Sequence, residues 1–425
     1  MSNWYDSAVF YHMYPLGMSG APLQNKEEEV VHRFDELKKW LPHIKALGCD
    51  AIYIGPLFES TTHGYDTKDY RMVDRRLGDN NDFKTFVAEA HQMGLRIVVD
   101  GVFNHTGREF FAFQDIQKNR ESSRYCGWYK GVNFGWNSPY NDGFGYEAWR
   151  NCFELVNLNL QNREVKDYLF DVIRFWIHEF DIDGIRLDCA DCLDFDFMKE
   201  MRWMTGNEKQ DFWLMGEVIH GDYARWANAD VLHSVTNYEL HKGLYSGHND
   251  HNYFEIAHTI RRQFDENGGI YRGRVLYSFV DNHDVDRIYG SEWGIEGRKA
   301  DGGDPALRPH LVLEEMEQHP NVPGLAEYLA FLGMCRREHP VLAEGAYREL
   351  MLTNRQYAFA RIKDQDAIII AVNNDENPAE LYVPVPLQAD EFVNLESKEV
   401  LQVENGRIRV QLPAGGSALL VPVRR

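Results

Sequence analysis

Hydrophobic and polar residues alternate along the first two thirds of the chain in a pattern typical of a parallel sheet covered by helices. Short apolar runs predict strands at 9–15, 51–57, 96–103, 184–188, 213–218, 234–238 and 274–282. Apolar residues at helical spacing predict helices at 33–47, 82–93, 163–180, 195–204, 223–227 and 253–266. This rhythm predicts seven strands in one continuous alternation with helices.

The ends of these strands favour a closed barrel over an open sheet. A doubly wound open sheet would carry a glycine-rich phosphate loop after its first strand. Here acidic residues follow several different strands instead, which is typical of the catalytic face of a (β/α)8 TIM barrel. We therefore predict an α/β fold built on a TIM barrel.

Two further regions interrupt or follow the predicted barrel. Residues 104–157 are rich in Gly, Asn, Trp and Tyr and predict an inserted subdomain without a clear helix. From about residue 347 onward, alternating strands separated by Asn and Gly turns predict an antiparallel β-sandwich. The predicted domains are a barrel at 1–103 and 158–345, an insertion at 104–157 and a sandwich at 346–425.

The predicted barrel is one unit short. After Asp284 it needs another helix and an eighth strand, but a Gly- and Asp-rich stretch follows, in which only Ile288, Tyr289 and Gly290 resemble a strand remnant. A final helix is predicted at 324–337.

Composition narrows the class of partner. The 425 residues include 45 basic and 66 acidic side chains, which give a net charge of -21. This charge argues against nucleic acid and against anionic membranes as partners, and favours a small or neutral ligand. The sequence has neither a leader pattern nor an apolar run long enough to span a bilayer, so we expect a cytoplasmic protein.

Three carboxylates follow three apolar strands. They are Asp188, Glu217 and Asp284. An acid at the mouth of a parallel sheet is partly desolvated and therefore destabilising unless it has a function. Three such acids suggest one shared pocket, and carboxylate pairs of different pKa are what cleavage of a glycosidic bond requires.

Further polar residues accompany these acids. Arg186 lies two positions before Asp188 in a strand, so both side chains point to one face, and Arg186 is expected to lower the pKa of Asp188. A structural ion pair would give the same pattern. Polar or aromatic residues at other strand ends add hydroxyl-binding or stacking groups: Tyr65, Asp66, Asp100, Asn104, His105 and His283. His and Asp are also common metal ligands, so a metal-dependent hydrolase is an alternative.

Together these motifs resemble the α-amylase family of retaining glycoside hydrolases and transglycosylases. The matching segments run in family order: His63-Gly-Tyr-Asp66, Asp100-Gly-Val-Phe-Asn-His105, Leu155-Val-Asn-Leu-Asn159, Gly184-Ile-Arg-Leu-Asp188, Gly216-Glu217 and Phe279-Val-Asp-Asn-His-Asp284. The resemblance covers nearly the whole chain.

The resemblance implies a role for each matching position. Asp188 would be the nucleophile, Glu217 the acid and base, and Asp284 a ligand of the sugar 2- and 3-hydroxyls. Arg186 would orient Asp188. The remaining positions would bind the reactive sugar or support the site, the binding residues being Tyr65, His105 and His283 and the supporting residues Asp66, Asp100 and Asn104.

Two features depart from the family pattern. Secreted starch-degrading members carry Lys-His after the second barrel motif, where this chain has Asp191 and Cys192. The usual calcium site is therefore incomplete, and we expect no metal or other cofactor. In the family a helix and a strand also separate the fourth motif from a Tyr-Gly-x-Glu turn, whereas here Ile288 precedes Tyr289 directly. Either another segment closes the barrel, or this sequence joins residues that are separated in the natural chain, and we favour the second interpretation.

The leading hypothesis is a retaining hydrolase of α-linked gluco-oligosaccharides, similar to maltodextrins. A 4-α-glucanotransferase or another transglycosylase with the same residues is the first alternative. A catalytically inactive sugar-binding protein of the same fold is more remote, because such proteins typically lose one of the three acids and all three are present here.

Overall fold

The computed structural model describes residues 3–26 and 29–423, and for 288–290 the backbone alone. The chain divides into two compact units. The first comprises Met1–Thr236 and Asp281–Glu327, and the second Asn237–Val280 and Tyr328–Arg425.

A parallel sheet of six strands forms the centre of the first unit. Its strands are β1 (Phe10–Met13), β2 (Ala51–Ile54), β3 (Arg96–Gly101), β4 (Gly184–Leu187), β5 (Trp213–Gly216) and β6 (Ser234–Val235). They lie side by side in chain order, and every neighbouring pair is parallel. This is the arrangement of consecutive strands in a (β/α)8 barrel, and the predicted fold class is confirmed for this part of the chain.

Helices connect most of these strands as predicted, but the predicted helix at 223–227, between β5 and β6, is only a 3-10 turn at Tyr223–Arg225. The α-helices of the first 236 residues are Pro15–Met18, Phe34–Lys38, Trp40–Ala46, Asn80–Gln92, Phe111–Asn119, Arg163–Phe180 and Phe195–Glu208. Local chemistry sets their ends. The Asn162 side chain accepts a hydrogen bond from the Glu164 N–H at 2.9 Å and so caps the helix Arg163–Phe180, which is followed by Asp181 in a left-handed conformation.

The inserted region contains a helix that the sequence analysis did not predict. Phe111–Asn119 is helical and buries Phe113 and Ile116. Its short amphipathic pattern is obscured by flanking Gly, Asn and aromatic residues. His105–Gly107 and Leu155–Asn157 form an antiparallel strand pair that joins the two ends of the insertion.

The predicted strand at 274–282 is wrong. This segment forms no continuous strand, although the Asn237 N–H donates to the Tyr277 carbonyl at 2.8 Å. Val275 and Val280 are exposed. A strand needs a neighbour along its length, and the sheet ends at β6, which is only two residues long.

The region after Asp284 forms a hairpin instead of a barrel unit. Arg287–Gly290 pairs antiparallel with Ile295–Gly297. Short 3-10 turns follow at Lys299–Asp301 and Asp304–Leu307, and then a helix at Leu313–Gln318. Among the described residues the parallel sheet has six strands, and a helix and strand completing a barrel are absent.

The second unit contains helices and one antiparallel sheet. Its helices are Tyr238–Asn249, Tyr253–Phe264, Val341–Glu344 and, from Tyr328 onward, the helix Leu325–Glu338. The eight strands are Ala346–Leu352, Gln356–Lys363, Asp366–Asn373, Ala379–Pro384, Glu391–Asn394, Val400–Glu404, Arg407–Leu412 and Ser417–Pro422. Ile369, Leu381, Phe392, Val410 and Leu420 come from five of these strands and form one buried core, as predicted for a sandwich.

The predicted boundary at residue 346 differs from the division into compact units. Segments 237–280 and 328–345, which the sequence analysis assigns to the barrel, group with the C-terminal sheet. One reason is the cluster in which Tyr253 and Ile256 pack with Tyr347 and Tyr357. The domain boundaries stay a prediction.

We find no segment with the length and apolar character needed to cross a membrane among the helices of residues 3–26 and 29–423.

Candidate active site

Asp188 and Glu217 directly follow neighbouring parallel strands, β4 and β5. The Glu217 N–H donates to the Leu187 carbonyl at 2.9 Å, and the Asp188 N–H donates to the Gly101 carbonyl at 3.1 Å. These bonds continue the sheet pattern one residue beyond each strand. Both carboxylates are buried at the carboxyl edge of the sheet.

The buried guanidinium of Arg186 joins three acids. Its Nη1 donates to Asp188 Oδ1 at 2.9 Å and to Asp100 Oδ1 at 2.8 Å. Its Nη2 lies 2.9 Å from Glu217 Oε2. The sheet register sets this arrangement, because Asp100 in β3 pairs with Arg186 in β4.

Cys189 connects the two acids that follow β4 and β5. Its thiol donates to Asp188 Oδ2 at 3.0 Å, and its backbone N–H donates to Glu217 Oε2 at 3.0 Å. The residue adopts a left-handed backbone with φ 45°, which turns the N–H toward Glu217. Ligand atoms of all three residues lie within 4.8 Å of one another. This spacing is close to that of a retaining carboxylate pair and shorter than that of an inverting pair.

The electrostatics of Asp188 differ from the sequence-based expectation. Burial raises the pKa of Asp188 to about 8; Arg186 opposes this shift, and Glu217 and Asp100 reinforce it. Arg186 does lower the pKa of Asp188, as predicted, but burial and the two neighbouring acids outweigh it, so the net shift is upward. One guanidinium cannot balance three buried carboxyls, so the acid cluster around Asp188 retains a proton at neutral pH.

We expect kcat/KM to fall above about pH 8, roughly tenfold per pH unit, because the raised pKa of Asp188 marks the loss of the shared proton. Below that pH the acid cluster holds a proton that can pass to a leaving group, and above it this proton is lost. A pH profile of kcat/KM between about pH 5 and 10 measures this, with circular dichroism at each pH as a folding control. A profile that stays flat to pH 10 in folded protein would contradict the shared proton.

Two buried tyrosines extend the acid cluster. The Tyr53 hydroxyl donates to Asp100 Oδ2 at 2.8 Å, and the Tyr65 hydroxyl donates to the same oxygen at 3.0 Å. Tyr65 also hydrogen-bonds to His283 Nε2, and the two rings stack with centroids 5.7 Å apart. Tyr65 thus links the acids of β3–β5 to the segment around residue 283.

The carboxylate of Asp284 lies between the side chains of His283 and Arg308. His283 Nε2 lies 3.0 Å from Asp284 Oδ2, and Arg308 Nη2 donates to Oδ1 at 2.8 Å. Burial by itself would raise the pKa of Asp284, but His283 and Arg308 outweigh it and hold the pKa well below its usual range. Asp284 is therefore ionised at neutral pH.

His105 has an unused ring nitrogen. The side chain is buried, and its Nε2 has no hydrogen-bond partner among the described residues. Burial lowers the pKa of His105 to about 3, so the ring is neutral. Asn104 Nδ2 donates to His105 Nδ1 at 3.2 Å and thus leaves Nε2 for another partner. Such a free buried nitrogen is suited to a ligand hydroxyl.

Asp66 supports the turn that carries Tyr65. Its carboxylate accepts bonds from the Thr62 N–H at 3.1 Å and the Thr62 hydroxyl at 2.7 Å. Gly64 has φ +92°, and a Cβ there would lie 2.7 Å from Pro56. This tight turn requires glycine.

The side chain of Asn104, at the position of the family's calcium motif, contacts two neighbouring polar side chains. Asn104 Nδ2 is directed toward His105 and Asn157, and Cys192 is an exposed free thiol. The groups of three close His, Cys, Asp or Glu ligands in residues 3–26 and 29–423 are His32, Asp79 and Asp82, and Asp188, Cys189 and Glu217. Neither group includes a residue of the family's calcium motif.

The sequence analysis missed several residues of this site, chiefly Arg308, His12, Tyr53 and Cys189. Asp304 and Arg308 are spaced by four in a Gly-rich stretch, which signals a local ion pair, and Arg308 Nη2 lies 3.2 Å from Asp304. Tyr53 and His12 lie within strand segments whose sequence gives no sign of a functional role. Only the packing of β1 against β2 reveals that His12 stacks on Tyr53 at 4.3 Å.

An oxygen of Asp188 lies within 4.8 Å of an oxygen of Glu217 at the carboxyl edge of a parallel α/β sheet, as expected for a retaining glycoside hydrolase. A family model described as "Alpha amylase, catalytic domain" matches residues 34–302, in agreement with this arrangement. The chain belongs to the α-amylase family of glycoside hydrolases.

Relatives span most of the chain. A cyclomaltodextrinase of Geobacillus thermopakistaniensis is 28% identical over 474 aligned residues, covering 98% of this chain and 77% of the relative. An intracellular maltogenic amylase of Bacillus subtilis is 28% identical over 417 aligned residues, which cover 87% of this chain and 69% of that relative. A solved cyclomaltodextrinase structure has a TM-score of 0.87 at 25% identity and covers 99% of this chain and 78% of its own. The first alignment is longer than the 425 residues here, so that relative carries residues without a counterpart in this chain.

Proposed function

We propose that this chain hydrolyses α-linked gluco-oligosaccharides of the maltodextrin type with net retention, through a covalent glycosyl-enzyme. The observation that carries the proposal is the separation of the Asp188 and Glu217 oxygens, which lie within 4.8 Å of each other. Retaining enzymes need this short spacing because the second carboxylate itself attacks the sugar, with no water between them.

In the first step Asp188 is the nucleophile. Its oxygen forms a bond to the anomeric carbon while the bond from that carbon to the leaving oxygen breaks, and Glu217 donates its proton to that oxygen. The reactive arrangement is the one in which Glu217 holds the shared proton and Asp188 is ionised. Arg186 hydrogen-bonds to both acids and stabilises the charge on either.

In the second step water replaces the leaving sugar. Glu217, now ionised, takes a proton from the water while the water oxygen bonds to the anomeric carbon. The bond from that carbon to Asp188 breaks and returns the carboxylate. Two inversions give the α-anomer as the first product.

The hydroxyls of the sugar would be bound by side chains that can still form further hydrogen bonds. Asp284 is ionised and can accept bonds from two sugar hydroxyls. His105 Nε2 and His283 add nitrogen partners, and Tyr65 offers an aromatic face. Asp100 and Asn104 hydrogen-bond to Tyr65 and His105, respectively, and Asp66 stabilises the turn that carries Tyr65, so all three support the site.

The names of the relatives favour short or cyclic α-glucans over polymeric starch. Relatives are named cyclomaltodextrinase, maltogenic amylase and neopullulanase. One relative is named as intracellular, which agrees with the expected cytoplasmic location of this chain. We therefore include cyclomaltodextrins and linear maltodextrins in the proposed substrate class.

The test is to incubate the purified protein with maltotetraose and, separately, with β-cyclodextrin, and to follow product anomers by proton NMR. We expect smaller sugars released first as the α-anomer and converted to the equilibrium mixture by mutarotation. Initial release of the β-anomer would contradict the retaining mechanism.

Product lengths separate hydrolysis from transfer. Oligosaccharides longer than the starting maltotetraose would show that a sugar replaces water in the second step, and would move the assignment to a glucanotransferase with the same residues. Absence of turnover on these sugars and on isomaltose would overturn the proposal in favour of a sugar-binding role.

A further inference from the structure

The Cys189 thiol is a buried group beside both acids of the proposed mechanism, and the mechanism as described does not use it. Its Sγ lies 3.0 Å from Asp188 Oδ2, and its backbone N–H donates to Glu217 Oε2 at 3.0 Å. The residue is 8% exposed. One residue therefore contacts both acids, with its side chain on Asp188 and its backbone on Glu217.

The charge state of the thiol determines the direction of its hydrogen bond. Burial, together with the nearby charges of Asp188 and Glu217, raises the pKa of Cys189 well above its usual range. The thiol therefore keeps its proton at neutral and mildly alkaline pH. Because an ionised carboxylate can only accept, the thiol donates to Asp188 Oδ2 whenever Asp188 is ionised.

The donors around the two acids do not favour them equally. Arg186 donates to Asp188 Oδ1 at 2.9 Å and also lies 2.9 Å from Glu217 Oε2, so it favours the ionised form of either acid. The backbone N–H of Cys189 favours ionised Glu217. Among these contacts, the thiol bond is the one that favours ionised Asp188 without favouring ionised Glu217.

We propose that Cys189 is a positioning residue whose thiol hydrogen bond favours the arrangement in which Asp188 is ionised and Glu217 holds the proton of the acid cluster. This is the reactive arrangement of the first step, so the consequence for catalysis rests on the proposed function. The effect on the position of the proton does not depend on turnover and can be measured without a substrate.

The backbone conformation of Cys189 supports a role for its side chain. With φ 45° and ψ 46° the residue lies in the left-handed region, which is strained for residues other than glycine. Glycine would adopt this conformation without strain and would still offer an N–H to Glu217. It would supply no donor to Asp188, however, which is what the cysteine side chain adds.

The other titratable and charged groups that act on Asp188 are fixed independently of the thiol. They are Tyr70, Asp100, Arg186, Cys192 and Glu217. Arg186 in particular is held by its bonds to the two Asp100 oxygens at 2.8 and 3.1 Å. A change in the titration of Asp188 after replacement of Cys189 can therefore be assigned to the thiol.

The test compares wild type with Cys189→Ala and Cys189→Ser. Alanine removes the donor to Asp188, and serine replaces the thiol with a hydroxyl, which is a stronger donor. Both variants keep the backbone N–H that donates to Glu217. Cys335→Ala is the matched control, because Cys335 is a buried free thiol in the hydrophobic core of the second unit.

The direct readout is a carbon-13 NMR titration of protein labelled at the aspartate carboxyl carbon, with the Asp188 signal assigned by its loss in Asp188→Asn. We expect the wild-type midpoint near the raised pKa of about 8. In Cys189→Ala it should rise by roughly half to one pH unit, because the ionised form loses a hydrogen bond. In Cys189→Ser it should lie at or below the wild-type value, and in the Cys335 control it should be unchanged.

Activity gives a second readout. We expect kcat/KM on maltotetraose at pH 7 to fall roughly three- to tenfold in Cys189→Ala, because fewer molecules hold Asp188 ionised and Glu217 protonated. Serine should restore it. The alkaline limb of the pH profile should move in the same direction as the Asp188 midpoint. Circular dichroism shows whether each variant is folded.

Three results would overturn the inference. The first is an Asp188 midpoint that is unchanged in Cys189→Ala. The second is a midpoint that falls in this variant, which would show that protonated Asp188 donates to the sulfur. The third is an equal loss of activity in the Ala and Ser variants. A wild type that turns over none of the sugars but shows the expected order of midpoints would instead count against the proposed function and leave the role of Cys189 supported.

Discussion

Replacing Asp188 with Asn is expected to lower kcat on maltotetraose by about 10⁴-fold, because an amide oxygen is too weak a nucleophile to attack the anomeric carbon. The variant should fold. Asn keeps an oxygen to accept the 2.9 Å bond from Arg186. It also removes a carboxyl whose pKa burial raises, and a raised pKa means that the ionised form destabilises the fold above the pKa of the unfolded chain. The melting temperature at pH 7 should therefore be unchanged or higher.

Two controls isolate the chemistry of Asp188. Asp196→Asn changes an exposed acid on the following helix, whose side chain is 77% exposed, and should leave kcat unchanged. Asp188→Ala opens space beside the anomeric carbon, so added azide should restore turnover and give the β-glycosyl azide by a single inversion. Near-normal activity of Asp188→Asn, or rescue that yields the α-azide, would remove Asp188 from the role of nucleophile.

Replacing Glu217 with Gln is expected to slow cleavage of maltotetraose by roughly 10²- to 10⁴-fold, because the leaving sugar oxygen then receives no proton. A substrate whose leaving group needs no proton should behave differently. α-Maltosyl fluoride should still glycosylate Asp188, and the missing base should then stall the intermediate. We expect a burst of fluoride equal to the enzyme concentration, followed by slow turnover.

The burst is measured by rapid-quench detection of fluoride, and intact-protein mass spectrometry should find the maltosyl adduct. Glu179→Gln is the control, because Glu179 is an exposed acid paired with Lys84 at the surface. Equal losses of the first-step rate on maltotetraose and on the fluoride would contradict the assignment of Glu217 as the acid, and would point to a role in holding Arg186 and Cys189.

The strand–helix order of the first unit was predictable because its information is local. The six strands at 10–13, 51–54, 96–101, 184–187, 213–216 and 234–235 coincide with the apolar runs in the sequence. A buried strand needs a continuous apolar segment, and a helix needs apolar residues at a spacing of three and four. The strand at 274–282 failed because a strand also needs a paired neighbour, which local sequence does not encode.

The sequence by itself determined the order of the parallel strands and the positions of Asp188 and Glu217, because parallel strands bring their carboxyl ends to one edge whatever the loops do. The tertiary structure alone decided what depends on approach from distant segments. Arg308 meets Asp284, and His12 meets His283 across 271 positions of chain. It also decided the direction of the Asp188 pKa shift, since burial and two neighbouring acids outweigh the one arginine that the sequence sets beside it.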